Sequence, residues 1–139
     1  MVRLYAQYMG LAILVIGIAG VLLGERSLLN LVNIDILEDA VHLVTGGLLA
    51  YVGFANRDLD LVKSVVGGIS VMYLIVGVLG FITPNLLGLL PHGYSGFDNV
   101  LHLGIGGIGI ALAWFMSESS RHYQVASTSP GKETPESGI

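Results

Sequence analysis

Four long apolar blocks alternate with short polar stretches along most of the chain. They cover residues 4–24, 36–55, 61–83 and 97–116. Each block is close to the ~20 residues that a helix needs to cross a hydrocarbon core about 30 Å thick. A helix of a soluble protein would carry polar side chains on one face, but residues 11–23 contain no polar side chain at all. The pattern therefore predicts an all-α membrane fold with four transmembrane helices.

The second half of this pattern repeats the first at an offset of sixty residues. Residues 38–43, Glu-Asp-Ala-Val-His-Leu, correspond to residues 98–103, Asp-Asn-Val-Leu-His-Leu, and a Gly-Gly pair follows each block after two further residues. This self-similarity predicts two tandem two-helix repeats, about residues 4–55 and 61–116. Because both repeats would begin on the same side of the membrane, a pseudo-twofold axis along the membrane normal would relate them.

The composition agrees with a lipid bilayer as the surrounding medium. Hydrophobic residues make up 53% of the chain and charged residues 12%, about half of the ~25% that is usual for soluble domains. The net charge of -4 gives no reason to expect nucleic-acid binding. The chain has no cysteine, which excludes disulfides and thiolate chemistry. We therefore expect the lipid bilayer as the partner, together with a second copy of the chain or another membrane protein.

The basic residues predict the orientation of the chain in the membrane. Arg26 falls on one side of the predicted bilayer, and the other five fall on the opposite side: Arg3, Arg57, Lys63, Arg121 and Lys132. Cytoplasmic segments carry the excess of Lys and Arg, so both termini of this multi-pass protein are predicted to be cytoplasmic, in the inner (cytoplasmic) membrane. Residues 1–117 would form the transmembrane domain. Residues 118–139 have little to bury and are predicted to be a disordered cytoplasmic tail.

Glycine is unusually frequent, at 20 of 139 residues, about twice the ~7% average. In membrane helices, glycine allows two backbones to approach closely. We therefore predict that helices pack through the glycines of all four blocks: Gly20, Gly24, Gly46, Gly47, Gly53, Gly77, Gly80, Gly104, Gly106, Gly107 and Gly109.

The same polar arrangement precedes the second and the fourth apolar block. Asp35 lies three residues before Glu38, and Ser95 lies three residues before Asp98. This spacing is typical of a capping box, in which the first side chain and the fourth each bond the other's backbone amide. We predict a capping box at the start of both helices.

His42 and His102 lie inside their helices, about 9 Å from the start at 1.5 Å per residue. Ionisable residues within a membrane span are candidates for function. Glu38 and Asp39 share a helical face with His42, at spacings of four and three residues. Asp98 and Asn99 stand in the same relation to His102. If the second and fourth helices pack together, the two imidazoles would face one another. His92 and His122 have no counterpart in the other repeat and are predicted to be solvated.

Three interpretations of this polar cluster remain open from the sequence. The simplest is a histidine hydrogen-bonded to a carboxylate near the membrane surface. The second is a metal site in which His42 and His102 are joined by the carboxylates Glu38, Asp39 and Asp98. The third is axial ligation of a haem by the two histidines. Without a complete cofactor motif in the sequence, the first expectation is a protein without a cofactor.

Three segments of the second half resemble the family called domain of unknown function 4383. They are residues 77–81, Gly-Val-Leu-Gly-Phe, residues 86–91, Leu-Leu-Gly-Leu-Leu-Pro, and residues 98–103 with the following Gly106 and Gly107. The family consists of small four-helix prokaryotic membrane proteins without an established activity. Its pattern often has His-Asn-x-x-His, which Asn99 and His102 match, whereas Asp98 stands in place of the first His. The resemblance implies a bacterial or archaeal inner-membrane protein and supplies no substrate.

These observations favour a non-enzymatic membrane protein with a structural, accessory or stress-related role. No pair of nucleophile and base in a pocket that excludes water can be assembled from the sequence, which argues against an enzyme. A metal- or haem-binding protein using His42 and His102 is one alternative, and a small oligomeric transporter or channel is another. A transporter would be expected to carry polar residues or broken helices near the bilayer centre, whereas the first and third blocks are nearly all apolar residues and glycine.

Overall fold

The computed structural model describes residues 1–24, 26–28 and 32–116, with the backbone alone for residues 26–28, 32 and 33. The predicted disordered tail, residues 118–139, and His122 lie outside the described residues. So do Arg121 and Lys132, two of the basic residues used to predict the orientation.

The described residues contain four long helices. They are α1 (Val2–Leu23), α2 (Ile36–Phe54), α3 (Leu59–Ile82) and α4 (Gly96–Ile110), and α4 continues as a π-helical turn over Ala111–Phe115. All four are long and apolar enough to cross a membrane, when α4 is taken together with its π-helical turn. The prediction of four apolar helices is confirmed, and the ends differ from the predicted ones by two residues at most. The chain therefore fits a multi-pass membrane protein.

The connections at one end of the bundle contain short regular elements that the sequence did not predict. Two antiparallel strands, β1 (Arg26–Leu28) and β2 (Val32–Ile34), join α1 to α2, and Arg26 pairs with Ile34. A 3₁₀ turn over Leu86–Gly88 lies between α3 and α4. At the opposite end, the short polar connection between α2 and α3 contains Asp58, whose carboxylate caps α3 by accepting hydrogen bonds from its first turn.

The helices pack as two hairpins, α1 with α2 and α3 with α4, around a shared apolar core. Ile13, Leu49, Val66 and Tyr73 are among its fully buried side chains. Large aliphatic and aromatic side chains on the outward faces of all four helices remain exposed, as expected where lipid surrounds a bundle. The tyrosine hydroxyl of Tyr5 donates to the backbone carbonyl of Ile105 at 2.7 Å and joins the two hairpins.

Glycines set the close approach of the helices within each hairpin. A Cβ added at Gly46 of α2 would lie 2.5 Å from the backbone nitrogen of Leu14 in α1. A Cβ added at Gly106 of α4 would lie 2.7 Å from the backbone nitrogen of Leu74 in α3. These distances are shorter than van der Waals contact, so the two backbones touch directly at both glycines.

Only some of the glycines predicted to pack have this role. Gly20, Gly46, Gly53, Gly77, Gly80, Gly106 and Gly109 lie against a neighbouring helix, whereas a Cβ at Gly24, Gly47, Gly104 or Gly107 would meet no described atom within 4 Å. The prediction is confirmed for the first set, and the second set makes no such contact with the described residues of the same chain. In each Gly-Gly pair one glycine faces the partner helix and the next is turned away from it, because successive residues of a helix point about 100° apart.

Candidate functional site

The α1–α2 connection and the α3–α4 connection lie at the same end of the bundle. One buried carboxylate links them through hydrogen bonds. Asp35, which is fully buried, accepts hydrogen bonds from the backbone nitrogens of His92 and Gly93, both at 3.2 Å. The imidazole Nδ1 of His92 lies 2.9 Å from Asp35 Oδ1. Because an ionised carboxylate can only accept, the ring nitrogen is the donor. We call this arrangement the Asp35 latch.

The Asp35 latch contradicts two sequence predictions, the capping box at Asp35 and a solvated His92. Asp35 precedes α2 in an extended conformation but, among the described residues, its side chain makes no capping bond to the first turn, so the predicted capping box with Glu38 is wrong. The carboxylate instead satisfies donors of the other connection, fifty-seven residues away. His92 is correspondingly not a free solvated histidine, although its side chain is 37% exposed.

The second predicted capping box is confirmed. Ser95 Oγ accepts from the backbone nitrogen of Asp98 at 3.1 Å, and Asp98 Oδ2 accepts from the backbone nitrogen of Ser95 at 2.9 Å. This reciprocal pair fixes the first turn of α4 and orients Asp98 toward the inside of the bundle, where it is 4% exposed.

His42 of α2 and His102 of α4 lie side by side within the bundle, close to the Asp35 latch. The ring centroids of His42 and His102 are 6.1 Å apart, with the planes inclined by 30°. Tyr73 of α3 lies 6.3 Å from the first ring and 5.3 Å from the second. Tyr94 packs edge-on against His102 at 5.0 Å. Tyrosine rings from two different segments, α3 and the connection before α4, thus hold the imidazoles in place.

A hydrogen bond fixes Tyr73 in turn. Its hydroxyl lies 2.9 Å from Thr45 Oγ1, and Thr45 Oγ1 donates to the carbonyl oxygen of Val41 at 2.7 Å. The single proton of the threonine hydroxyl is used in the second bond, so Tyr73 must be the donor in the first. This chain of bonds orients the Tyr73 ring against both imidazoles.

Three donor side chains converge at this point. Glu38, His42 and His102 each offer one ligand atom within 4.8 Å of the others. Glu38 and His102 are 6% and 5% exposed. Within the described part of the chain, Glu38 Oε2, His42 Nδ1 and His102 Nδ1 are buried without a hydrogen-bond partner. The other carboxylate oxygen, Glu38 Oε1, lies 4.0 Å from His102 Nε2. We call these three residues the donor triad.

The donor triad lines a cavity of about 290 Å³. Asp39 and Asp98 line the same cavity, so it contains all five side chains that the sequence singled out as metal ligands. The rest of the wall is almost entirely apolar, with Ile16 and Ala19 of α1 facing Leu101 and Ile105 of α4. The cavity is therefore an apolar cleft between the two hairpins with five ionisable side chains in its lining.

Asn99, the sixth residue singled out, does not line this cavity. Its side-chain oxygen lies against Gly80 of α3 and is buried without a hydrogen-bond partner among the described residues. Asp39 lies in the same way against Gly20 of α1, but it also reaches the cavity. The two positions correspond in the sequence, yet only the aspartate belongs to the candidate site.

The site is rich in buried acid. Asp35, Glu38, Asp39 and Asp98 are each at most 6% exposed, and burying an ionised carboxylate is costly unless it is paired or binds a cation. The same environment affects Tyr94, just outside α4: burial raises the pKa of its phenol above the ordinary range, and the negative charge of Glu38 adds to the shift. A cation bound by the donor triad would offset this concentration of negative charge.

Reasoning from sequence missed the aromatic part of the site. Tyr73, Tyr94 and Thr45 were not singled out, although Tyr73 offers a signal. It stands near the middle of a span that is otherwise almost wholly apolar, whereas tyrosines of membrane helices are enriched at the interfaces. A tyrosine at that depth needs a partner for its hydroxyl, and this requirement predicts a polar neighbour.

Comparisons with known protein families, with curated proteins and with solved structures find no match to this chain. The function is therefore inferred from the site itself.

Proposed function

We propose that this chain is a membrane protein that binds one divalent transition-metal ion at the donor triad. The observation that carries the proposal is the convergence of three donor side chains, the buried Glu38 and His102 and the half-buried His42, each with an atom that has no hydrogen-bond partner in the described structure. Buried polar atoms are almost always paired. A metal ion held between the three side chains would be coordinated by one atom of each.

The distances suit such an ion. Three atoms no more than 4.8 Å apart lie within about 2.8 Å of a common centre, and ligand distances to zinc are ~2.0–2.2 Å. Each donor would need to move inward by less than about 1 Å, which small side-chain rotations can supply. Asp39 and Asp98, which line the same cavity, add negative charge around the ion.

The donor types favour a borderline metal such as zinc, iron or copper over calcium or magnesium. Imidazole suits transition metals, whereas the hard cations select oxygen ligands. Two histidines and one carboxylate form a set of three protein ligands that leaves a position open on the ion, as in several zinc and non-haem iron sites.

The surroundings give less support to haem. Tyr73 packs against both His42 and His102, at 6.3 and 5.3 Å, and occupies space beside the rings that a porphyrin would need. The cavity, at about 290 Å³, is at the small end of the ~300–1,000 Å³ range for drug-sized ligands. A bare ion with one small ligand fits this volume better than a macrocycle.

The proposal includes a membrane orientation. The positive-inside pattern supports cytoplasmic termini in the inner membrane, and the Asp35 latch and the donor triad would then lie toward the outer face. The resemblance to the family called domain of unknown function 4383 agrees with this location.

The matched contacts of Gly46 and Gly106 support the two tandem repeats and a pseudo-twofold axis along the membrane normal. We assign the protein an accessory, non-enzymatic role centred on the bound ion.

The test is metal analysis of the protein purified in detergent without chelators. We expect close to one equivalent of a transition metal per chain, or tight uptake of added Zn²⁺. His42→Ala, His102→Ala and Glu38→Gln should each weaken Zn²⁺ binding by at least about tenfold, since even an outer-shell partner is worth 10–100-fold. His92→Gln is the matched control, because it removes an imidazole that bonds Asp35 and does not belong to the donor triad.

Two results would overturn the proposal. One is a wild-type protein that folds normally, contains no metal and does not bind added Zn²⁺. The other is equal Zn²⁺ affinity for the wild type and for the folded His42→Ala/His102→Ala double variant, which would place any bound metal elsewhere. Circular dichroism of each variant verifies that the helices are retained.

A further inference from the structure

The connection between α3 and α4 begins with an apolar loop. Residues 83–91, Thr-Pro-Asn-Leu-Leu-Gly-Leu-Leu-Pro, contain four leucines and no charged residue. We call this segment the leucine loop. Leu90 is buried, whereas Leu87 is 92% exposed and Leu89 is 64% exposed. The leucine loop therefore presents two large apolar side chains outside the bundle.

The backbone conformation makes an exposed leucine at position 87 unexpected. Leu86 and Leu87 have φ angles of 42° and 60°, in the left-handed region that is unfavourable for residues with a large side chain. Glycine or asparagine adopts this region more easily and would expose no hydrocarbon side chain to water. Among the described residues, almost nothing covers the Leu87 side chain. A leucine is therefore favoured here only where something outside the bundle covers it.

The backbone of the leucine loop is suited to an environment with little water. The amide nitrogens of all five residues from 86 to 90 donate to oxygens within the loop, at 2.9–3.3 Å. Pro84 and Pro91 have no amide hydrogen. Lipid requires backbone donors to be paired within the protein, and the apolar part of the loop meets this requirement.

The same pairing argues against a protein as the cover. Protein interfaces carry about one hydrogen bond per 100–200 Å², but the amide donors of residues 86–90 are already used inside the loop. The loop also offers no charged side chain to a partner. Apolar contact without directional bonds is what lipid chains provide.

The helix ends on either side of the leucine loop are apolar on their outer surface as well. Phe81 and Ile82 at the end of α3 and Phe97 in the first turn of α4 are exposed. Both helices are long and apolar enough to cross a membrane, so the chain between them leaves and re-enters the bilayer at the same surface. Along the chain, the loop thus continues the lipid-facing surface of α3 and α4.

We propose that the leucine loop inserts into the surface of the bilayer that surrounds the bundle, with Leu87 and Leu89 among the upper parts of the lipid chains. Interfacial segments bury apolar side chains about 5–10 Å into the boundary between head groups and acyl chains. Because His92 follows the loop directly, the inserted loop would hold the Asp35 latch at the membrane surface. This inference is independent of the metal ion, since the loop contributes no residue to the donor triad.

The chain contains no cysteine, which allows a test with single labelled positions. Leu87→Cys and Leu89→Cys are each labelled with an environment-sensitive fluorophore, and the full chain is reconstituted in phosphatidylcholine vesicles. Lipids that carry a nitroxide quencher at a shallow or a deep position report the depth of the label. We expect both labels to lie about 5–10 Å below the head-group boundary and to be protected from iodide in the water.

Two further positions supply the controls in the same protein. Arg57 is exposed in the polar connection at the opposite end, so the label of Arg57→Cys should be open to iodide. Ile75 is exposed within α3, so the label of Ile75→Cys should be protected and should respond most to the deep nitroxide. Circular dichroism of each labelled variant verifies that the helices are retained.

Labels at positions 87 and 89 that iodide quenches as strongly as the label at position 57 would overturn the proposal. Protection that appears only after proteins extracted from the native membrane are added would assign the loop to a protein partner and would also overturn it. If Leu87→Cys fails to fold, Leu89→Cys decides alone, because Leu89 has a φ of -74° and lies outside the left-handed region. Zinc binding is measured separately, so neither result affects the metal site.

Discussion

Replacement of Gly46 by alanine tests whether direct backbone contact holds α1 against α2. The new Cβ would lie 2.5 Å from the nitrogen of Leu14 and 3.0 Å from the carbonyl oxygen of Gly10. Both neighbours are backbone atoms of α1, so no side-chain rotation can relieve the overlap, and the helices must separate by about 1 Å. Overpacking of this kind costs roughly 1–3 kcal/mol.

The adjacent glycine provides an internal reference. Gly47→Ala adds the same methyl group to the same helix, but it meets no described atom within 4 Å. Both substitutions gain the same helix propensity, up to ~1 kcal/mol in water. Their difference therefore isolates the packing cost. We expect the free energy of unfolding of Gly46→Ala to be about 1–3 kcal/mol below that of Gly47→Ala.

Titration with sodium dodecyl sulfate in mixed micelles, followed by circular dichroism, measures both free energies. Gly106→Ala and Gly107→Ala repeat the comparison in the second hairpin, where the Cβ at Gly106 would lie 2.7 Å from the nitrogen of Leu74. If the two variants of each pair differ by less than about 0.5 kcal/mol, which is the range of a neutral surface change, the argument for direct backbone contact is refuted.

Three further changes test the outer end of the bundle. Asp35→Ala removes the carboxylate to which His92 and Gly93 donate and should lower the free energy of unfolding by about 1–3 kcal/mol. The exposed Asp60→Ala should change it by less than ~1 kcal/mol, and similar losses for the two variants would contradict the Asp35 latch. Ser95→Ala removes the side-chain cap of α4 and should cost ~1 kcal/mol in the same titration, and an unchanged value would count against that cap. The phenolate absorption of Tyr94 can be measured as the difference between the ultraviolet spectra of the wild type and of Tyr94→Phe. It should appear only well above pH ~10, since burial raises the pKa of Tyr94. A titration centred near pH ~10 would contradict this prediction.

The helices could be predicted from sequence because a bilayer imposes a simple rule. Spans of about 20 apolar residues must form helices so that every backbone group is hydrogen-bonded within the span. The blocks at residues 4–24 and 97–116 accordingly became α1 and α4 with its π-helical turn. The Ser95 cap was also predictable, since it involves residues three positions apart.

The outer connections could not be predicted in the same way, because their bonds join distant parts of the chain. Asp35 and Ser95 occupy corresponding positions in the sequence, and both were predicted to be caps. Asp35 instead meets donors near residue 92 that its own repeat does not contain. Likewise, Gly46 and Gly47 look alike in the sequence, and only the packing of α1 on α2 distinguishes Gly46, which contacts α1, from Gly47, which does not.

The donor triad is divided between the hairpins, with Glu38 and His42 on α2 and His102 on α4. Neither half of the chain alone can hold the full set, so the site comes into existence only after both hairpins have been inserted and have met. An ion that binds there acts as a cross-link between them. It would stabilise the joined hairpins by RT ln(1 + [M]/Kd), about 2.7 kcal/mol at a hundredfold excess over Kd. Metal loading would thus be the closing step of assembly, and a metal-free chain would be the form most open to separation and degradation.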